Sequence, residues 1–173
     1  MPNVIAYGCF INERSLYKTI SPRKIKIVTV NGFKRIFNLI PSRMELYKNK
    51  ADNIHRTVFN VFQDENHSLN AIMFEVNDDE FELLKLRERS YNTKKIKVKD
   101  NENNEHEAYI FVGKKKLFGE EILNDSLLPI HPYLKLCIEG AKNLSNEFYE
   151  KWLDTSYLGN NTLLRDYIKE QNL

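Results

Sequence analysis

The segment "VIAYGCFINERSL" (residues 4–16) places an apolar run directly before a single glycine, Gly8. The run is typical of a first strand, and the polar residues that follow can begin a helix. A strand that ends at a glycine and continues into a helix presents successive backbone N–H groups, which can hold a carboxylate or a phosphate. The chain has neither GxxxxGK[ST] nor GxGxxG, so nucleotide binding is unsupported. An ordinary strand-ending turn is the alternative interpretation of Gly8.

Composition indicates one soluble domain over residues 1–173. The chain is 42% hydrophobic and 29% charged, and its net charge of +2 is too balanced to indicate a nucleic-acid partner. No apolar run approaches the roughly 18 residues of a membrane span, and residues 1–20 do not read as a secretory signal. The two cysteines form no CxxC pair or disulfide framework. These features predict a cytoplasmic protein with free thiols and no membrane partner.

The order of the predicted elements favours an α+β fold. A strand is followed by a short helix (13–20), more strands, one internal helix (78–89) and a helical last third. This order predicts a small mixed β-barrel-like sheet with surrounding helices. The dipeptide at 31–32 predicts a turn, residues 64–68 predict a hairpin turn, and residues 41–56 predict a loop. Strands are predicted at 3–7, 24–30, 33–40, 56–63, 69–76, 93–100 and 107–114.

Glu88 is the acidic residue that the helical period singles out. The helix that begins after Asn77 places Phe81, Leu84, Glu88 and Tyr91 on one face. A carboxylate on a buried face costs several kcal/mol unless it is paired or protonated. Carboxylates with a raised pKa serve general acid–base chemistry near neutral pH. The alternatives are a position near the helix end or an ion pair with one of the arginines at 56, 87 and 89.

Cys9 and the histidines give no catalytic or metal-binding pattern. A nucleophilic Cys9 needs a histidine or another cation beside it, and no motif connects it to His55, His67, His106 or His131. A small buried thiol is the simpler interpretation. The histidines lack metal-ligand spacing, so we expect no metal site.

The two signals, Gly8 and Glu88, occur together in the γ-glutamylcyclotransferase-like superfamily, which includes AIG2-like proteins, and the chain resembles it. The family's first loop usually reads Tyr-Gly-Ser-Asn-Leu, where this chain has "YGCFI" at 7–11. The family's acid lies in Leu-Asp-x-x-Glu, which "LKLRERSYNTKKIKV" resembles, with Glu88 at the glutamate and Lys85 at the aspartate. "LNAIMFEVNDDEFELL", "EAYIFV" and "HPYLKLCIEGAKNL" are similar to the elements around that acid, and the last places Tyr133 at a tyrosine that often lines the site. The resemblance covers about residues 3–150, which leaves 151–173 as a C-terminal helical extension.

The resemblance implies an enzyme that acts on a small γ-glutamyl substrate and needs no cofactor or metal. Backbone N–H groups of the first loop would bind the α-carboxylate of the γ-glutamyl group. Glu88 would take a proton from the α-ammonium group, the freed amine would close a ring on the γ-carbonyl, and Glu88 would return the proton to the departing amine. The products are 5-oxoproline and a free amine. The implied substrate-binding residues are Tyr7, Gly8, Cys9, Phe10, Ile11 and Tyr133.

Three departures from the family pattern leave a second interpretation open. Cys9 and Phe10 replace the usual serine and asparagine of the loop, and Lys85 replaces the aspartate near Glu88. A Lys85 side chain that turned inward would lower the pKa of Glu88, opposite to what the chemistry needs. The alternative is a non-catalytic carboxylate-binding module on the same fold. A nucleic-acid surface on the lysine-rich hairpin of residues 94–116 is a third and weaker interpretation, because lysines at such positions commonly face solvent.

Overall fold

The computed structural model describes residues 1–42 and 52–173, so most of the loop predicted at 41–56 lies outside the described residues. A short 3-10 helix (Cys9–Ile11) follows β1 and leads into α1. The elements are β1 (Asn3–Ala6), α1 (Glu13–Tyr17), β2 (Arg23–Leu39), β3 (His55–Glu75), α2 (Asp78–Arg87), β4 (Tyr91–Asp100), β5 (Glu105–Gly113), β6 (Lys116–Leu117), β7 (Glu120–Glu121), β8 (Leu128–Pro129), α3 (His131–Leu144), α4 (Asn146–Asp154), β9 (Ser156–Leu158) and α5 (Leu164–Gln171).

Five strands close into a barrel-like sheet. The order is β3-β1-β5-β4-β2, and pairing between β2 and β3 completes the circle. The neighbours β1 and β5 run parallel, whereas the other pairs of the barrel are antiparallel. Two short strands extend it, with β8 parallel to β3 and β9 parallel to β2. The predicted α+β fold, a small mixed barrel with surrounding helices, is confirmed.

The turns predicted at 31–32 and 64–68 are wrong, because β2 and β3 each run without a break through these positions. The register passes from Asn31 opposite Ser68 to Phe33 opposite Gln63, so Gly32 faces a bulged segment of β3. Gly32 has a φ of +81°, which a β-bulge accepts as readily as a hairpin turn does. The two long strands therefore bend together at this point, and the bend helps the sheet to close.

Aromatic side chains fill the space between the barrel and the C-terminal helices. The rings of Phe37 and Phe59 lie 3.8 Å apart, and fully buried Trp152 of α4 packs edge-on against Phe59 at 5.9 Å. Residue 150, the limit of the family resemblance, falls within α4. None of the helices within residues 1–42 and 52–173 is long and apolar enough to cross a membrane.

A close approach of α3 positions the loop that follows β1. A Cβ atom on Gly140 would lie 2.7 Å from the backbone nitrogen of Asn12, so only glycine fits at this contact. Asn12 is itself buried, and its side-chain amide donates to the Leu136 carbonyl at 3.1 Å. The absence of a side chain at Gly140 thus lets α3 pack directly against the loop that follows β1.

A capping box begins α2. Asn77 Oδ1 accepts a hydrogen bond from the Glu80 N–H at 2.8 Å, and Glu80 Oε2 accepts one from the Asn77 N–H at 2.9 Å. We expect Asn77→Ala to lower the free energy of unfolding by about 1 kcal/mol. The Glu80 N–H loses its side-chain acceptor, and the reciprocal bond from the Asn77 N–H to the Glu80 side chain loses its support. Urea denaturation measures this loss. Asn77→Ser keeps a capping oxygen and should stay within a few tenths of a kcal/mol of wild type, and an equal loss in both variants would contradict the capping role.

Candidate active site

The loop after β1, the end of α2 and helix α3 meet around one small cavity. Six of the seven predicted site residues line it: Tyr7, Gly8, Cys9, Phe10, Glu88 and Tyr133. The seventh, Ile11, is buried and does not line the cavity. The remaining lining residues are Val4, Ile5, Ala6, Phe59, Tyr91 and Phe111. The fold therefore brings the glycine loop and the acid into one place.

Cys9 and Phe10 begin the 3-10 helix that follows Gly8, and both residues line the cavity. The Ile11 N–H donates to the Gly8 carbonyl and the Asn12 N–H donates to the Cys9 carbonyl, each at 3.1 Å. These bonds form the 3-10 helix, whose first N–H groups have no acceptor within the helix. The strand–glycine–helix interpretation is correct for the backbone, with the helix starting directly after Gly8.

Gly8 leaves the space that the Tyr133 hydroxyl occupies. A Cβ atom at this position would lie 2.5 Å from Tyr133 Oη and 3.5 Å from Phe59 Cβ. The φ of Gly8 is −114°, so the need for glycine comes from room and not from a left-handed backbone. The loop and α3 can approach each other here because position 8 has no side chain.

We expect Gly8→Ala to lower the free energy of unfolding by about 1–3 kcal/mol, because the added methyl group overpacks this contact. Thermal and urea denaturation measure the change. The double variant Gly8→Ala with Tyr133→Phe removes the colliding hydroxyl and should recover part of the loss. A single variant as stable as wild type would contradict the close contact.

Buried Tyr7 and half-buried Tyr91 form walls of the cavity. The Tyr7 hydroxyl donates to the Phe111 carbonyl at 2.6 Å, and the Tyr91 hydroxyl donates to the Phe59 carbonyl at 2.7 Å. Burial raises the pKa of both phenols well above the usual value, and the negative charge of Glu88 adds to the shift. Both hydroxyls therefore remain protonated and structural at neutral pH.

Cys9 lies beside Glu88 but does not have the character of a nucleophile. Desolvation and, to a smaller extent, the charge of Glu88 raise the pKa of its thiol to about 12, although Arg87 opposes the shift. A thiol in this state is almost wholly protonated at neutral pH, whereas the thiolate is the reactive form. The structure supports the simpler interpretation of Cys9 as a small packed thiol.

Glu88 is the C-cap residue of α2 and directly follows its last helical residue, Arg87. Its N–H donates to the Leu84 carbonyl at 2.8 Å, and its side chain is 23% exposed. The predicted stripe is present, since Phe81 and Leu84 are buried while Leu83 and Leu86 face solvent. The helix stops at Arg87, two residues before the predicted end, so Glu88 reaches the cavity from the junction between α2 and β4.

The charge of Lys85 is directed to the outer face of α2. Its ammonium group pairs with Glu82 and lies 5.0 Å from the centre of the Phe81 ring. Arg87 does lie beside Glu88, and its Nε is 3.5 Å from Glu88 Oε1. The ion pair between Glu88 and Arg87, one of the alternatives that the sequence left open, is therefore present. Lys85, which stands where the family has an aspartate, pairs with Glu82 and does not place its positive charge beside Glu88.

Phe10 and Arg87 form a pair that the sequence analysis missed. The Arg87 guanidinium lies over the Phe10 ring, 4.8 Å from its centre, and its Nη1 also contacts the Thr19 hydroxyl. Phe10 thus replaces the polar asparagine of the family pattern with a face on which a cation rests. Only the three-dimensional proximity of the loop to the end of α2 reveals this arrangement.

Arg35 lies behind the loop and is fully buried. Its guanidinium donates to Ser156 Oγ at 2.8 Å, to the Asn70 carbonyl at 2.8 Å and to Asn70 Oδ1 at 3.0 Å. It also reaches the Tyr7 carbonyl at 3.3 Å and Thr155 Oγ1 at 3.0 Å. Burial lowers the pKa of Arg35 to about 9, which still leaves it charged at neutral pH. This residue joins β1, β2, β3 and the segment after α4.

A second contact missed by the sequence analysis joins two distant histidines. The rings of His55 and His131 lie 4.6 Å apart, and His131 Nε2 is 3.0 Å from the Tyr167 hydroxyl. Burial and the nearby His55 lower the pKa of His131, which favours its neutral form. Over residues 1–42 and 52–173 no group of three or more His, Cys, Asp and Glu side chains could hold a metal ion.

Solved structures of γ-glutamyl cyclotransferases share this architecture. A structure named γ-glutamyl cyclotransferase matches with a TM-score of 0.69 at 17% identity, over 98% of each chain. An uncharacterized protein from Homo sapiens matches with a TM-score of 0.66 at 18% identity, over 87% of this chain and 85% of that one. A γ-glutamyl cyclotransferase specific to glutathione from yeast matches with a TM-score of 0.57 at 10% identity, over 87% and 96%.

No protein-family model and no curated protein matches the sequence of this chain. The similarity to the solved structures is therefore one of fold and not of close sequence. It agrees with the closed five-strand barrel and with the helices that surround it. The chain has the γ-glutamylcyclotransferase-like fold.

Proposed function

We propose that this protein is a γ-glutamylcyclotransferase, which cleaves a γ-glutamyl amine or peptide into 5-oxoproline and the free amine. The observation that carries the proposal is that Glu88 and the Tyr7–Phe10 loop line one cavity. The sequence resemblance assigns these two segments to the acid–base residue and the carboxylate-binding loop. Their meeting in the fold of known γ-glutamyl cyclotransferases supports the assignment.

In the proposed reaction Glu88 relays protons between two nitrogens of the substrate. The N–H groups of Cys9 and Phe10 bind the α-carboxylate, and Glu88 takes a proton from the α-ammonium group. The free amine attacks the γ-carbonyl carbon, the five-membered ring closes, and Glu88 gives its proton to the leaving nitrogen as the bond between that nitrogen and the carbon breaks. The ring nitrogen loses its second proton, which the departing amine takes up to leave as an ammonium ion. No water is consumed, and the site mainly holds the substrate folded and transfers protons.

The test is the release of 5-oxoproline, measured by mass spectrometry from a panel of γ-glutamyl amines, γ-glutamyl dipeptides and glutathione. We expect product from the wild-type protein on at least one member of the panel, with the amine released in equal amount. The 5-oxoproline distinguishes ring closure from hydrolysis, which would release the same amine but give glutamate instead. Glutamate as the product, or no product from a broad panel, would contradict the proposal.

The size and lining of the cavity favour a second candidate, a non-catalytic module that binds a small carboxylate. The cavity has a volume of about 50 Å³, which is small beside the roughly 300–1,000 Å³ of typical small-molecule sites. Most of its lining is apolar, and Phe10 stands at the position of the family's asparagine. A ligand smaller than a γ-glutamyl peptide fits this space with less movement of side chains.

The binding module predicts stabilisation by ligand without turnover. A ligand that binds only the native state raises the melting temperature by mass action. Glutamate, 5-oxoproline and acetate are suitable probes in a thermal-shift titration. A rise in melting temperature with no product from any γ-glutamyl compound would favour the module over the enzyme, and no shift with any carboxylate would exclude it.

A further inference from the structure

The fully buried Arg35 carries a charge that none of its hydrogen-bond partners neutralises. Its guanidinium donates to the side-chain oxygens of Ser156, Asn70 and Thr155 and to the carbonyls of Tyr7, Asn70 and Trp152. All of these oxygens are neutral, and within residues 1–42 and 52–173 none of the charged groups that act on Arg35 is a carboxylate. Burying a charge without a counter-ion is costly, so an anion bound near Arg35 would be stabilised by it.

We propose that Arg35 is a positioning residue of the candidate site, which stabilises a carboxylate bound at the loop after β1 without touching it. It acts in two ways: it fixes the peptide between Tyr7 and Gly8, and it supplies the positive charge behind that peptide. The inference rests on the proposed function only because that function places a carboxylate at this loop. It applies to the cyclotransferase and to the binding module alike.

The orientation of one peptide unit is the first argument. Arg35 Nη1 donates to the Tyr7 carbonyl at 3.3 Å. In a planar trans peptide the C=O and the N–H point in opposite directions, so the N–H of Gly8 points away from Arg35. Gly8 lines the cavity, and its N–H has no backbone acceptor in the part of the chain that the structure describes. Arg35 therefore holds this N–H available as a donor to a bound carboxylate, beside those of Cys9 and Phe10.

The position of the charge is the second argument. The Arg35 guanidinium carbon lies 5.7 Å from the centre of the Phe59 ring, and its Nη1 contacts the Tyr7 carbonyl. Both Phe59 and Tyr7 line the cavity, so the charge lies one layer of protein behind the cavity wall. Its effect reaches that wall, since it opposes the rise in the pKa of the Tyr7 phenol. A charge separated from an anion by protein and not by water is weakly screened.

The experiment compares two probes of equal size, 5-oxoproline and its uncharged amide, 5-oxoprolinamide, by isothermal titration calorimetry. We expect the wild-type protein to bind the acid more tightly than the amide. In Arg35→Gln, which removes the charge, the dissociation constant of the acid should rise by about 10- to 100-fold, the range for a lost interaction with a charged group. The amide should change much less. Because both probes bind the same folded fraction, the ratio of the two constants does not depend on the stability of the variant.

Ser156→Ala is the matched control for a loss of stability alone. It removes the acceptor of Arg35 Nε, which is 2.8 Å away, but leaves the contact of Nη1 with the Tyr7 carbonyl in place. Its acid-to-amide ratio should equal that of wild type. Arg35→Lys keeps the charge but cannot make the same set of hydrogen bonds, so its ratio should lie between those of wild type and Arg35→Gln.

Two outcomes would overturn the inference. One is an unchanged acid-to-amide ratio in Arg35→Gln. The other needs no variant: it is a wild-type protein that binds the two probes equally or binds neither. Release of 5-oxoproline from γ-glutamyl compounds is measured on the same samples. Product formation with an unchanged ratio in Arg35→Gln would overturn this inference alone, whereas a changed ratio with no product would overturn the proposed enzyme and support the role of Arg35 in a binding module.

Discussion

Glu88→Gln is expected to reduce 5-oxoproline formation by about 10²- to 10⁴-fold, the usual contribution of a positioned general acid or base. The amide has the size of the carboxylate but neither accepts the proton of the α-ammonium group nor returns one to the leaving nitrogen. Glu88 is partly exposed at the end of α2, and its backbone N–H bond to Leu84 does not depend on the side chain. The fold should therefore change little.

Glu82→Gln is the control for this variant. It removes a carboxylate from the same helix, but Glu82 is 66% exposed and pairs with Lys85 on the outer face. Rates of 5-oxoproline release and melting curves are measured for both variants beside wild type. Loss of turnover in Glu88→Gln alone, with a melting temperature close to wild type, supports the acid–base role. A variant that loses stability but keeps its activity would refute that role.

Arg35→Met is expected to lower the free energy of unfolding by about 2–4 kcal/mol, among the larger effects of single substitutions. The variant removes a buried guanidinium that donates to Ser156, Asn70 and Thr155, so the buried Ser156 and Asn70 oxygens lose this donor. It also removes the contact with the Tyr7 carbonyl behind the candidate site. Relief of the desolvated charge offsets part of the loss but does not replace the hydrogen bonds.

Urea denaturation with a linear extrapolation measures the effect. Arg165→Met is the matched control, because Arg165 pairs with Asp154 and Glu150 at the surface, where ion pairs contribute about 0–1 kcal/mol. Arg35→Lys keeps the charge but loses the planar fork, and it should fall between wild type and Arg35→Met. Equal stability of Arg35→Met and wild type would show that the network does not support the fold.

Local sequence patterns predicted most of the secondary structure around Glu88. The capping box needs only two residues three positions apart, so the start of α2 could be recognised without knowledge of the rest of the chain. The glycine after an apolar strand and the stripe on α2 are equally local. The meeting of Gly8 and Glu88 followed only from the family resemblance, because no local pattern connects them.

The features that were missed depend on contacts between distant segments. Asn31-Gly32 has the composition of a hairpin turn, but continuous pairing with β3 outweighs the local preference and converts the glycine into part of a bulge. Arg35 lies in a strand whose alternation shows nothing unusual, and its partners come from three other parts of the chain. The stack of Arg87 on Phe10 likewise arises only when the loop and α2 are brought together.

The pairing of β1 has a consequence for the order in which a newly made chain can fold. β1 is synthesised before its neighbours in the barrel, which are residues 72–75 of β3 and Tyr109 of β5. The loop after it also needs Gly140 of α3 against Asn12. Helix α2 and the β4–β5 pair can form early from nearby residues, whereas such distant contacts form slowly. The cavity therefore cannot be complete until α3, which supplies Tyr133, has been synthesised.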